Sequence, residues 1–181
     1  FVLRGLDPYK EYGLDVRTVW DDGTINRKNP NDTSRYAARF TLSSLIPEEV
    51  FLADLPYSGP PSWFTWPVTV RGKIYDRSFG MVAGSSREYA INGLFSTLKG
   101  AVSIDDNIRR IREGEAVVFV IRGDGRELWR SNPMSAGDET ITLEVPVAGT
   151  KSLELLVERS GERTSGFSRL PADWVKMSLV K

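Results

Sequence analysis

Short runs in which apolar and polar residues alternate, cut at intervals of roughly eight to twelve residues by Gly, Pro, Asn or Asp, dominate this chain. Ile141, Leu143, Val145 and Val147 sit two apart, and Ala148-Gly149-Thr150 then turns the chain. Leu153, Leu155 and Val157 repeat the pattern before Gly161, and Val175, Met177 and Leu179 form a last run. Ala116 to Ile121 is continuously apolar, ends at Gly123-Asp124-Gly125 and is followed by Glu127-Leu128-Trp129. That is a hairpin signature, with glycines supplying the positive φ that the turn needs. Successive side chains of a strand point to opposite faces, so a period of two buries one face of an antiparallel sheet. Many such runs predict an all-β antiparallel sandwich. The first strand, near Val50 to Leu55, is expected beside the last, near Trp174 to Val180. Helical spacing occurs only at Ile104, Ile108 and Ile111, where Asp105-Asp106-Asn107 favours a turn, so this stretch reads as a loop or one helical turn.

Two absences restrict the chemistry. The chain has no cysteine and no histidine. Disulfides, thiolate nucleophiles, Cys/His zinc sites, Ser-His-Asp triads and histidine proton shuttles are therefore excluded. Carboxylates remain, but no spacing pairs two of them as a glycosidase requires. A non-enzymatic role is expected. Lysine plus arginine and aspartate plus glutamate stand at 24 each. With no net field, neither nucleic acid nor an anionic membrane is the expected partner; a neutral polymer or a protein is.

A boundary is expected near Ile46-Pro47-Glu48-Glu49, dividing residues 1–46 from 47–181. Three strand-like pieces precede it: Phe1 to Leu6, Tyr12 to Trp20 and Tyr36 to Leu45. Three strands cannot bury both faces of a sheet alone, so this segment must pack on the second domain, on another chain or on residues outside this sequence. The chain opens on Phe1-Val2-Leu3-Arg4 without a methionine, which reads as a cut inside a longer polypeptide whose signal sequence lies upstream. Within the chain no run of about 18 apolar residues occurs.

Gly5-Leu6-Asp7-Pro8-Tyr9-Lys10-Glu11-Tyr12, with Leu14, Val16, Thr18 and Trp20 and then Asp22-Gly23, resembles the late strands of a fibronectin type III domain. The resemblance implies a partial immunoglobulin-like β segment in which Tyr12 forms the corner of the fold. Residues 50–181 resemble a second family more fully. Val50-Phe51-Leu52-Ala53-Asp54-Leu55-Pro56, Tyr75-Asp76-Arg77-Ser78-Phe79-Gly80, Val102-Ser103-Ile104-Asp105-Asp106, the hairpin from Val117 to Ser131, Val147-Ala148-Gly149 before Leu153, and Ala172-Asp173-Trp174 are similar, in order, to segments of the NPCBM family, the novel carbohydrate-binding modules. This resemblance implies a jelly-roll-like antiparallel β-sandwich, a secreted (extracellular or periplasmic) module that binds galactose-type glycans and accompanies an upstream glycoside hydrolase domain. Two departures stand out. The family places a histidine after the glycine matching Gly80, where this chain has Met81-Val82-Ala83. It has Asp-His before Ala-Asp-Trp, where this chain has Arg169-Leu170-Pro171.

Sugar recognition needs an apolar surface for the C–H face of the ring and fixed polar groups for its hydroxyls. Trp63 and Trp66 lie in Pro60-Pro61-Ser62-Trp63-Phe64-Thr65-Trp66-Pro67, a proline-bounded loop that is either a stacking platform or a plug over the core. Trp129 and Trp174 read as core. Arg77, placed by the family segment, is the candidate donor to sugar hydroxyls. Asp105 and Asp106 could offer oxygens to a structural calcium, though a solvated turn explains them as well. The competing function is a structural spacer or protein-docking module whose sugar site has decayed.

Overall fold

A computed structural model describes residues 11–14, 38–41, 45–60, 67–106, 115–160 and 171–181. The chain divides into two compact units, Phe1–Pro47 and Glu48–Lys181. In the first, strands β1 (Glu11–Leu14) and β2 (Ala38–Thr41) pair antiparallel, with Tyr12 opposite Phe40. The segment Phe1 to Leu6 and the side chain of Tyr12 lie outside the described residues.

The second unit is a two-layer sandwich. Its strands are β3 (Glu49–Phe51), β4 (Val68–Val70), β5 (Lys73–Tyr75), β6 (Phe79–Val82), β7 (Ser85–Ala90), β8 (Thr97–Ile104), β9 (Ala116–Gly123), β10 (Arg126–Arg130), β11 (Ile141–Pro146), β12 (Ser152–Ser160) and β13 (Pro171–Val180). One sheet runs β10-β9-β12-β7. The other runs β11-β8-β13, and the far side of β13 is shared by β6 and β3. Pro171 to Trp174 pair with β6, and Ser178 to Val180 pair with β3. The opening and closing strands of the module are therefore neighbours, as the sequence predicts.

Alternation explains the core. Leu153, Leu155 and Val157 of β12 and Leu143 and Val145 of β11 are buried, as their spacing requires. Between the sheets the ring of Phe119 meets that of Trp174 edge-to-face, with centroids 5.1 Å apart at 88°. Trp174 is core as expected, whereas Trp129 is only partly buried. The continuous apolar run of β9 reflects coverage on both faces: Val117, Phe119 and Ile121 are buried, and so are Val118 and Val120.

The β9–β10 hairpin forms where the glycines predict it, but the turn residues are Asp124 and Gly125, with φ of 49° and 78°. That is the two-residue geometry that matches strand twist. Gly123 remains in β9 for another reason: a Cβ there would lie 2.7 Å from Leu128 and 3.0 Å from Thr150. Val147 also departs from the strand reading. It leaves β11 and accepts the Thr150 N–H in the following turn.

Strand β13 carries a bulge. Its register against β8 shifts between Val175 and Ser178, and Lys176 takes a φ of 47°. The shift pushes Met177 towards Gly100 of β8. A Cβ on Gly100 would lie 2.5 Å from Met177 Sδ and 3.0 Å from the Val175 carbonyl oxygen, at a φ of 153°. Only glycine fits there without movement.

Candidate functional site

The outer face of the second sheet is roofed by the β4–β5 hairpin. Val68 and Val70 alternate with Thr69, so both valines pack down on Val175 beside Tyr75 and Ala101. The backbone between them faces the end of β8. The Thr69 N–H donates to Asp105 Oδ2 at 3.2 Å, and the Asp106 N–H donates to the Thr69 carbonyl at 2.8 Å. At the hairpin turn the Gly72 N–H donates to Asp106 Oδ2 at 2.6 Å. Asp105 and Asp106 are thus anchors for the hairpin. Asp105 is 2% exposed, which overturns the solvated-turn reading for that residue. Among the described residues no group of three Asp, Glu, His or Cys side chains could hold a metal ion.

The hairpin also positions the candidate sugar contacts. Val68 pairs with Tyr75, so Pro67 and Asp76 leave the hairpin at the same end. Trp63 and Trp66, immediately before Pro67, lie outside the described residues. Arg77 follows Asp76 in a left-handed conformation, φ 47°. Its guanidinium lies 4.8 Å from the Phe51 ring centroid, and its Nε is 3.6 Å from Asp54 Oδ2. More than half of its side chain stays exposed, so donors remain available to solvent. Residues 76–78 are pinned to the bulge of β13. Lys176 Nζ is 3.3 Å from Asp76 Oδ1, and the Lys176 N–H donates to Ser78 Oγ at 3.0 Å.

The two departures from the family pattern meet in space. Across the β6–β13 pairing, Val82 faces Pro171, Met81 faces Ala172 and Gly80 faces Asp173. Met81 and Val82 of the first departure therefore lie beside Pro171, the described end of the second, and its neighbour Ala172.

Asp173, which the sequence reading did not single out, is the least expected side chain here. It is 1% exposed, stands opposite Ser103 and shares the outer face with Val175. Neither carboxyl oxygen accepts a hydrogen bond from a protein donor. Its neighbour is the Asp105 carboxyl, with Asp106 farther out, and a proton on Asp173 is what makes that contact a hydrogen bond. Burial, followed by the Asp105 charge, pushes the Asp173 pKa from the ordinary 3.8 up to about 9. The available signal was a lone acid inside the apolar run Leu170-Pro171-Ala172-Asp173-Trp174-Val175.

The NPCBM/NEW2 domain family matches residues 61–180. A Renibacterium salmoninarum protein named "Putative endo-alpha-N-acetylgalactosaminidase" is 34% identical over 155 residues, covering 76% of this chain. The match spans about 10% of that relative's length. Among solved structures, the CBM51 from Clostridium perfringens GH95 in complex with methyl-galactose superposes with a TM-score of 0.58 at 19% identity, covering 73% of this chain and 99% of that one. The CBM51-2 in complex with GlcNAc and INT domains from Clostridium perfringens ZmpB gives a TM-score of 0.61 at 17% identity, over 94% of this chain and 36% of the other. Those two likenesses fix the fold as the β-sandwich seen here. With more than half its length matched by the family, the chain belongs to the NPCBM/NEW2 carbohydrate-binding modules.

Proposed function

We propose that residues 47–181 are a non-catalytic module that holds a secreted glycoside hydrolase on its glycan, binding galactose-type sugars weakly through Trp63, Trp66 and Arg77. Family membership supports the glycan-binding class, and the methyl-galactose and GlcNAc complexes of the structural relatives support a small hexose as ligand. The observation that carries the placement is the hairpin: it brings the exit of the tryptophan loop at Pro67 and the entry to Arg77 to one end of β4–β5. In this reading residues 1–46 are the late strands of a fibronectin type III-like domain. Asp105 and Asp106 serve the hairpin in this reading, one oxygen of each accepting an N–H of β4 or its turn.

A shallow site for one monosaccharide buries little area, so a Kd of about 1 mM, roughly −4 kcal/mol, is expected. Titration of the chain with galactose, N-acetylgalactosamine and N-acetylglucosamine, followed by tryptophan fluorescence, tests the proposal. Trp63→Ala or Trp66→Ala should abolish the signal while leaving Tm nearly unchanged. A large fall in Tm would make the tryptophans core plugs.

A second reading has its own observation. Val82 against Pro171, and Met81 against Ala172, fill with apolar side chains the place where the family carries histidines. A spacer or protein-docking module with a decayed sugar site would look this way. Absence of any fluorescence change with all three sugars at 50-fold above the expected Kd, that is about 50 mM, selects it.

A further inference from the structure

Arg87 has no place in the site described above. It lies on β7 opposite the fully buried Leu155 and is itself 7% exposed. The guanidinium carbon is 4.1 Å from the Phe79 ring centroid and 4.2 Å from that of Tyr57. With its flat faces covered by rings, the group has only its in-plane N–H donors left. Among the described residues no carboxylate pairs with it. The Tyr89 hydroxyl is buried close by and feels the cation, which opposes the rise that burial imposes on the phenol pKa. That hydroxyl nevertheless makes no well-formed hydrogen bond. The Tyr89 hydroxyl, a buried polar atom without a well-formed hydrogen bond, therefore lies beside a guanidinium edge that faces no carboxylate among the described residues.

Burying a cation without a counter-charge is costly, and aromatic faces recover only part of the loss. The rim of this place is Tyr57, which is 38% exposed. It is held there by the backbone: Ser58 and Glu88 exchange both N–H···O bonds at 2.9 Å, and Gly59 packs so closely on Ser86 that a Cβ would lie 2.5 Å from its carbonyl oxygen. Tyr57 and Tyr89 are 6.0 Å apart, ring to ring.

We propose that Tyr57, Arg87 and Tyr89 form a second subsite, for a sugar bearing an anionic oxygen group. The sugar's C–H face stacks on Tyr57, and its carboxylate or sulfate takes the Arg87 N–H edge, which the buried Tyr89 phenol backs from the inside. A charge-assisted, fork-shaped contact matches such a group better than it matches neutral hydroxyls. The proposal rests on the glycan-binding reading of this family but not on the tryptophan loop.

Calorimetric titration of the whole chain with N-acetylneuraminic acid, galacturonic acid, galactose 6-sulfate and methyl galactoside tests it, and the first three separate carboxylate from sulfate. At least one acidic sugar should bind about tenfold or more tighter than the neutral one, and the preference should fade with added salt. Tyr57→Ala, an exposed-rim variant checked for an unchanged melting curve, should lose the acidic preference, and Trp63→Ala should keep it. Arg87→Lys retains the charge without the fork and should lose most of the preference. Neutral and acidic sugars binding equally well overturns this subsite and leaves the module reading intact. Acidic binding that disappears in Trp63→Ala but survives Tyr57→Ala also overturns it. Failure of every sugar to bind overturns both readings.

Discussion

The outer faces of the two sheets handle charge in opposite ways. On β10-β9-β12, Arg130 Nη1 lies 2.7 Å from Glu158 while its Nη2 lies 2.8 Å from Glu127, and Arg122 reaches Glu154 at 3.4 Å and Glu158 at 3.5 Å. Signs alternate, and every group touches water. Hydrogen bonding to Arg130 holds the Glu127 carboxyl below the usual range. On the other sheet, Asp173 and Asp105 put two like groups together in a dry place under the β4–β5 hairpin. Opposite charges in water gain little and risk little. Like groups out of water are compatible only while one of them keeps a proton. The first face should ignore moderate changes of pH and the second should not.

The largest expected effect tests that contrast directly. The folded module holds a proton on Asp173 that the unfolded chain releases above pH 4. Its contribution to stability is therefore complete below about pH 4 and is lost progressively as pH rises towards about 9. Urea midpoints should fall between pH 5 and pH 8.5. Asp173→Asn should flatten that slope and stabilise the module at pH 8.5 by an amount on the order of a few kcal/mol. Equal slopes in both proteins would break the comparison.

Gly100→Ala comes next. The new methyl meets Met177 and the Val175 carbonyl at a bulge in the same dry sheet, so a loss of about 2 kcal/mol is expected from chemical denaturation at any pH. An unchanged midpoint would show that β13 yields more easily than its packing implies. The smallest effect belongs to the exposed lattice. Arg130→Ala should move the midpoint no more than an ordinary surface substitution, and 0.5 M salt should remove most of that shift. A shift as large as that of Gly100→Ala would mean that the lattice carries the sheet.

The fold was legible because its strands alternate and its turns announce themselves, as in Leu153 to Val157 and Asp124-Gly125. The pairing of the first and last strands followed from closing the sandwich. Less legible were features that depend on distant partners. Lys176 reads as one polar residue of an alternating run, yet it is the corner of a bulge set by Ser78 and Gly100. Arg87 and Asp173 were not singled out, because burial of a charge is decided by what covers it and not by its own position in a run. Arg77 was reached through the resemblance alone, and its footing on Phe51 and Asp54 came only from the three-dimensional arrangement.

The placement of β13 also governs when this module can exist at all. The last strand in the chain is the middle of its sheet, bonded to β8 on one side and to β6 and β3 on the other. Glu48 and Lys181, its outermost residues, are joined by a backbone hydrogen bond of 3.1 Å. Until β13 is in place, the β8–β11 pair, β6 and β3 are separate pieces of a sheet with no strand to join them. Contacts this far apart in sequence form slowly, on a timescale of about milliseconds to seconds. Until they do, the inner faces of β6, β8 and β3 are exposed together, the kind of apolar surface that draws chains into aggregates.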